Sequence, residues 1–392
     1  MAEERIEHEI PEMRVLPNRQ RRNETPGGAP DRAPLEFHRR LPGYGATPLI
    51  EAPEIASALG VGQVWVKNEA ERLGLPAFKV LGASWATYRA LLDQLGIDAS
   101  THMNLDELRD RLAPARPLTL AAATDGNHGR AVARMARWLD LEAEIFVPSD
   151  MVPARRAGIA SEGATVTVIN GSYDDAVARA AREGGERCLV IADIAQRPDE
   201  DIPRWVIDGY STILWEVDDE LERLGEPGPD LVAMQIGVGA FAAAVTRHYC
   251  RPEVDPRPFL VGIEPLDAAC VFHSIQAGEP VNVPGPHRSI MAGLNCGTPS
   301  PVAWPVLQSG VDLFLAVDDE WARRAMRLLA GSGIVAGESG AAGLAGLLAW
   351  RDGTPVDTNS DTLRLDPSTR ILIFNTEGAT DPDAYTKIIE NH

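Results

Sequence analysis

The sequence predicts an α/β protein built from two parallel-sheet domains, on three observations. Short apolar runs of strand length alternate with stretches of helical periodicity along most of the chain, which is the order that crossover helices impose on parallel strands. Several of these runs, such as PLTLAAAT, CLVIAD and LVAMQIG, are apolar almost throughout rather than alternating, as strands covered on both faces are. Finally, 392 residues at 44% apolar content are enough for two cores of ordinary domain size.

In order along the chain, residues 1–40 are rich in Arg, Glu and Pro with little periodicity and read as an extended arm lying on the body or on a partner subunit. A first series comes next: strand QVWVKNE, a helix from Lys79 to Gln94, strand PLTLAAAT and helix NHGRAVARMARWL. Strands EAEIFVP and ATVTVIN are separated by a helix, and the helix SYDDAVARAAREGG leads to strand CLVIAD. A second series opens with a long helix through VIDGYSTILWEVDDEL and continues with LVAMQIG, the helix AFAAAVTRHYC, FLVGIEP and a helix from Asp267. Helices around Ala325 and Gly340 and the strand RILIFNTEG complete it. The acidic loop at 359–366 carries no signal.

Composition narrows the function classes. A net charge of −20 repels phosphate backbones and anionic lipid, so neither nucleic acid nor membrane is an expected partner, and an anionic ligand needs a local device. The start MAEERIEHEIPEM has no apolar segment of the signal-peptide kind, and no apolar run reaches membrane-spanning length. A soluble, cytoplasmic protein is expected. Cys188, Cys250, Cys270 and Cys296 are too widely spaced for a zinc knuckle or a CxxC pair. No metal site is expected, and free thiols are favoured over a Cys270–Cys296 pairing.

Three segments carry chemistry. In LPAFKVLGASWA, Lys79 follows Phe78 where a helix begins. The chain has only three lysines among 37 basic residues, so lysine is not its default cation, and a positive charge at a helix start opposes the dipole. A lysine can form a Schiff base with an aldehyde cofactor, which an arginine cannot. In ATDGNHGRAVA, a polar turn between strand and helix leaves backbone N–H groups free for an anion, with Asn127 beside them. In MQIGVGAFAAAV, Gly237 and Gly239 let a phosphate approach the backbone at a helix start. This last segment also fits a dinucleotide fingerprint with Glu264 as the ribose acid, so a nicotinamide-dependent dehydrogenase stays open at this point.

Taken together, FK before a helix, DGNHG after the next strand, GVGAF, ESGAAGLAGL at 338–347 and FNTEGATD at 374–381 occur in the order and approximate spacing of fold-type II pyridoxal-phosphate enzymes. With DIPRWVIDGYSTI at 201–213 and SIMAGLNCGTPSPVAWPVL at 289–307, the chain from about residue 40 onward resembles the diaminopropionate ammonia-lyase family. That resemblance implies a small domain of residues 89–195 inserted in a larger one of residues 1–88 and 196–392, with the active site in the cleft between them, and a homodimer. It implies pyridoxal 5'-phosphate held covalently by Lys79, with Phe78 beside it and Asn127 on the ring oxygen. The backbone of Gly237, Val238, Gly239, Ala240 and Phe241 would hold the phosphate, and Thr376 would face the ring nitrogen.

Asp125 occupies a position where broader fold-type II lyases have serine or threonine. An ionised acid there would repel the substrate carboxylate, so it suits a cationic amino group or a proton transfer. Asp193 matches a second acidic position in the lyase pattern. The implied reaction is α,β-elimination of 2,3-diaminopropionate to pyruvate and two ammonia. A β-replacement enzyme or a hydroxyamino-acid dehydratase, sharing the aminoacrylate intermediate, is the alternative within the class. A catalytically silent scaffold is the alternative outside it, beside the dehydrogenase.

Overall fold

The computed structural model describes residues 10–353 and 363–390 apart from residues 23, 99 and 172. The first nine residues of the arm and residues 359–362 of the acidic loop lie outside the described residues. Among the described residues, eleven strands form two sheets: β1 (Met13–Pro17), β2 (Leu49–Glu51), β3 (Gln63–Asn68), β4 (Thr119–Ala123), β5 (Glu142–Pro148), β6 (Thr165–Ile169), β7 (Cys188–Val190), β8 (Leu231–Gln235), β9 (Phe259–Pro265), β10 (Leu313–Val317) and β11 (Arg370–Asn375). The larger sheet runs β1-β10-β9-β8-β11-β3-β2 and the smaller β6-β5-β4-β7. All pairings are parallel except the two edges of the larger sheet, where β1 and β2 run antiparallel.

The arm contributes an edge strand. Met13 to Pro17 pair with Val317 to Leu313 across the sheet edge, and the Asn18 amide donates to the carbonyls of Gln308 and Val311. Further on, the Trp215 indole donates to the Asp31 carbonyl, and Arg32 forms an ion pair with Asp219. The backbone groups of an irregular segment thereby find partners on the body, which covers one exposed edge of the large sheet.

Five helices position the site: α1 (Lys79–Gln94), α2 (Asn127–Leu139), α3 (Pro153–Ala160), α4 (Asp201–Leu224) and α5 (Ala240–Tyr249). Helices α1 and α4 cross so closely that side chains are excluded at the crossing. A Cβ on Gly209 would stand 2.5 Å from the Leu81 carbonyl oxygen, and one on Gly82 would stand 2.6 Å from the Tyr210 ring. The glycine in DGYSTI is therefore a packing requirement, and it fixes Tyr210 against the first turn of α1.

Beneath this crossing lies a buried charged cluster. Lys67 on β3 donates to Glu216 on α4 at 2.6 Å and to the Thr47 carbonyl at 2.7 Å, while Arg72 bonds both Glu69 and Glu216. Burial alone would raise the Glu216 carboxyl, but Arg72 and Lys67 hold it down at about 2. Each charge has a bonded partner, the condition under which buried ions are tolerated. The cluster ties β3 and the segment leading to Lys79 onto α4.

Candidate active site

Parallel sheets gather function at the carboxyl ends of their strands, and here loops from both sheets meet around one cavity of about 580 Å³. The residues that the resemblance singles out all line it: Phe78, Lys79, Asp125, Asn127, Asp193, residues 237–241 and Thr376. Asp125 follows β4, Asp193 follows β7, the glycine turn follows β8 and Thr376 follows β11.

Lys79 is the first residue of α1. The segment before it is stitched to the end of β11: Ala77 bridges Glu377, the Phe78 N–H donates to the Thr376 carbonyl and the Gly378 N–H to that of Pro76. Phe78 packs against Tyr210 and Phe241 with ring centroids 4.7 and 5.0 Å away. The lysine and the threonine of two distant motifs thus share one rigid junction.

The ammonium of Lys79 donates to Asp193 at 2.9 Å. Burial works to lower its pKa, but Asp193, Tyr210 and Asp125 raise it well above the ordinary lysine value. Asp193 moves the other way. Burial favours its neutral form, yet the His128 imidazole at 3.9 Å and Lys79 hold the carboxyl far below the usual range. The His128 ring bonds the Ile191 carbonyl through Nε2 at 2.7 Å, a contact that turns Nδ1 toward Asp193. Asp125 contrasts with this: burial raises its pKa, and the opposing pull of Lys79 and Arg155 does not restore it. Two carboxyls around one lysine are therefore pushed apart, one toward the anion and one toward the acid, the pattern that separates proton-transfer roles.

The turn after β8 makes an anion cradle. Among the described residues, none of the backbone N–H groups from Gly237 to Phe241 has a main-chain acceptor, and α5 starts there with no side-chain cap. Gly239 has φ +99°, and a Cβ on it would lie 2.7 Å from Leu307 Cδ1. A Cβ on Gly237 would press on the Gly293 carbonyl oxygen at 3.2 Å. Five N–H groups without main-chain acceptors at a helix start make a ready phosphate seat.

Opposite lies a hydrogen-bonded floor. Gln235 Nε2 donates to Thr376 Oγ1 at 2.8 Å and to the carbonyls of Ser339 and Phe374. With its oxygen accepting that bond, the Thr376 hydroxyl has its own proton left to donate. Asn127 Nδ2 donates to Glu377 Oε2 at 2.6 Å, and Glu377 Oε1 accepts from the Ser339 N–H. A partly buried lysine, a row of unpaired N–H groups at a helix start and a neutral hydroxyl around one cavity are features that suit pyridoxal phosphate, and the residues fit that group. Gln235, Ser339, Glu377 and Tyr210 carry no sequence signal of their own, although each adjoins or sits within a quoted motif.

Glu264 takes no part in the cavity. It is fully buried, accepts the Val271 and Phe272 N–H groups at 2.8 and 2.7 Å, and burial raises its carboxyl to about 8 against those bonds. It caps the helix Cys270–Ala277 and offers nothing to a ribose, which removes the residue the dehydrogenase reading leaned on. All four cysteines are free, Cys270 buried and the others partly so. Among the described residues there is no grouping suited to a metal ion and no helix long and apolar enough to cross a membrane.

Comparison with known proteins agrees with this geometry. The sequence model of the family described as "Pyridoxal-phosphate dependent enzyme" matches residues 40–363. The diaminopropionate ammonia-lyase of Salmonella typhimurium is 34% identical over 370 residues, 91% of each chain. The solved structure of diaminopropionate ammonia lyase from Escherichia coli in complex with D-serine is similar over 97% of both chains, with a TM-score of 0.89 at 31% identity. The same enzyme in complex with an aminoacrylate-PLP azomethine reaction intermediate gives 0.87 at 30% identity over the same share.

Proposed function

The chain belongs to the pyridoxal-phosphate dependent enzymes, in the diaminopropionate ammonia-lyase family, and from that premise we propose that it eliminates one ammonia from 2,3-diaminopropionate, after which water hydrolyses the released aminoacrylate to pyruvate and a second ammonia. The observation that carries this reading is the placement of two acids with Lys79 in one cavity, Asp193 accepting from its ammonium at 2.9 Å and Asp125 lining the same wall.

Lys79 would hold the cofactor covalently, residues 237–241 would seat its phosphate, Asn127 and Phe78 would flank its ring and Thr376 would donate to its nitrogen. Bound there, pyridoxal phosphate supplies an electron sink for the pair left at Cα. The residues supply the proton chemistry. Lys79, released as an amine, takes the Cα proton from one face. Asp125, once ionised, is the acceptor for an enantiomer presenting its proton to the other, and burial makes it the stronger base of the two carboxylates. Asp193, anionic throughout the neutral range, stabilises the departing β-amino group as ammonium, because an unprotonated amide ion is too poor a leaving group to depart. A neutral hydroxyl at Thr376 leaves the ring nitrogen largely unprotonated, which favours elimination over transamination.

The same reading carries a cytoplasmic homodimer. The four free thiols suit a reducing compartment, and two-fold dimers are the commonest closed assembly of soluble chains. Light scattering of the purified protein reads the mass directly.

Incubating the cofactor-loaded protein with 2,3-diaminopropionate tests the function. Pyruvate and ammonia in a ratio of one to two, absent with Lys79→Ala, are expected; an enzyme that consumes the amino acid only with an added nucleophile, without pyruvate, is a β-replacement enzyme instead.

A further inference from the structure

The cavity is strongly acidic for a site that must accept a carboxylate. Asp125, Asp150, Asp193 and Glu377 line it, and Lys79 is committed to Asp193. Among the described residues of its wall, Arg155 on α3 is the one permanent cation with neither a side-chain hydrogen bond nor an ion pair. Its backbone N–H donates to the Val152 carbonyl. Its side chain lies over the DGNHG turn: a Cβ on Gly126, where φ is +151°, would stand 3.1 Å from Arg155 Cδ. Its charge is felt at Asp125 and at Glu338 on the other side.

We propose that Arg155 is the specificity residue that binds the substrate's α-carboxylate, docking it between the guanidinium and the backbone of the DGNHG turn. Asp125 makes this necessary. A carboxyl side chain that serves as a proton acceptor, the role proposed for Asp125, has no proton to donate to an anion at that moment, so a neighbouring cation is the better partner for the carboxylate, and an arginine fork matches a carboxylate bidentately. Gly126 leaves room for the arginine stem to lie flat on the turn, and Arg155 also lines a second cavity of about 470 Å³ on the turn's far side, which gives the guanidinium space to swing. The division of labour then follows from charge. Arg155 takes the carboxylate, the two aspartates take the β-amino group and the proton, and an amine lacking a carboxylate is not retained.

The proposal rests on the cavity being an amino-acid site, and its test separates the two. Holoenzyme is prepared as wild type, Arg155→Met and Arg155→Lys, and equal cofactor content and absorbance confirm that each is folded and loaded. Steady-state kinetics are measured with 2,3-diaminopropionate and its carboxamide, and serine and serinamide are titrated against the cofactor spectrum. Loss of a charge-assisted bidentate contact predicts that Arg155→Met raises KM for the acid by about 10- to 100-fold. A smaller change in kcat, and carboxamide values within about twofold of wild type, complete the prediction. Arg155→Lys falls between, and serine loses affinity where serinamide does not. Equal losses for acid and amide, or no loss for either, overturn the proposal. A wild-type enzyme that makes no pyruvate from 2,3-diaminopropionate overturns the proposed function alone, because the serine and serinamide titrations read the carboxylate preference without turnover.

Discussion

Replacing Asp193 by asparagine keeps the shape of the site and removes one charge, so its effect follows from the Lys79 contact. At 2.9 Å the gross attraction is about 6 kcal/mol at an effective dielectric constant of 20. Breaking a buried pair costs about 3–5 kcal/mol net. The Lys79 side chain is 21% exposed to the cavity and Asp125 remains nearby, which brings the expectation to roughly 2–3 kcal/mol for the cofactor-free protein. A cooperative unit of 150–250 residues would then lose about 4–12 °C in apparent Tm.

The pH window follows from the direction of both shifts. Asp193 is held low, so its contribution is present above the ordinary aspartate value and is lost only as pH falls through its depressed folded value. Lys79 is held high, so its contribution is present below the ordinary lysine value and is lost as pH rises through its elevated folded one. The wild-type advantage should therefore be constant from about pH 5 to 9. Differential scanning calorimetry of the two apoproteins across that range measures it. A difference under about 1 °C, well below the 2–4 °C per kcal/mol scale, or one that changes sign inside the window, would refute the assignment of a buried, fully ionised pair.

Other consequences can be checked alongside. Asp125→Asn should abolish turnover of one enantiomer of 2,3-diaminopropionate and spare the other, as read by pyruvate release from each enantiomer supplied separately; equal losses contradict the two-face assignment. Gly239→Ala forces a side chain to φ +99° against Leu307, a strain of about 1–3 kcal/mol. It should weaken pyridoxal phosphate by roughly tenfold to a hundredfold in an equilibrium titration of the apoprotein, and an unchanged Kd contradicts the phosphate seat. Glu216→Gln strips Lys67 and Arg72 of their shared partner and should cost about 3–5 kcal/mol of stability by denaturant unfolding, where a loss under about 1 kcal/mol means water reaches the cluster. Thr376→Val removes the donor to the ring nitrogen and should shift the cofactor absorbance while leaving cofactor content unchanged.

What the sequence revealed was local. A glycine turn between an apolar run and an Ala-rich helix announces both β8–α5 and its free N–H groups, because strand, turn and helix start are consecutive in the chain. Lys79 stood out because lysine is rare in this protein. Arg155 had no such contrast, being one arginine among many. Gln235 reads as the polar end of a strand, and its link to Thr376 joins positions 141 residues apart. The β1 strand was equally silent: five residues inside a Pro- and Arg-rich arm become a strand only through β10, some 300 residues away. Glu264 shows the opposite failure. The local spacing suits a ribose acid, and only the distant fold shows the carboxyl turned onto a helix start.

The central claim is that Lys79 holds pyridoxal phosphate in this cavity, and borohydride reduction of the purified holoenzyme followed by peptide mass mapping tests it most directly. With three lysines in the chain, Lys67, Lys79 and Lys387, the assignment is unambiguous. A stoichiometric phosphopyridoxyl group on Lys79, lost when 2,3-diaminopropionate is added before reduction, is the predicted result; a label on Lys67 or Lys387, or none at all, contradicts it.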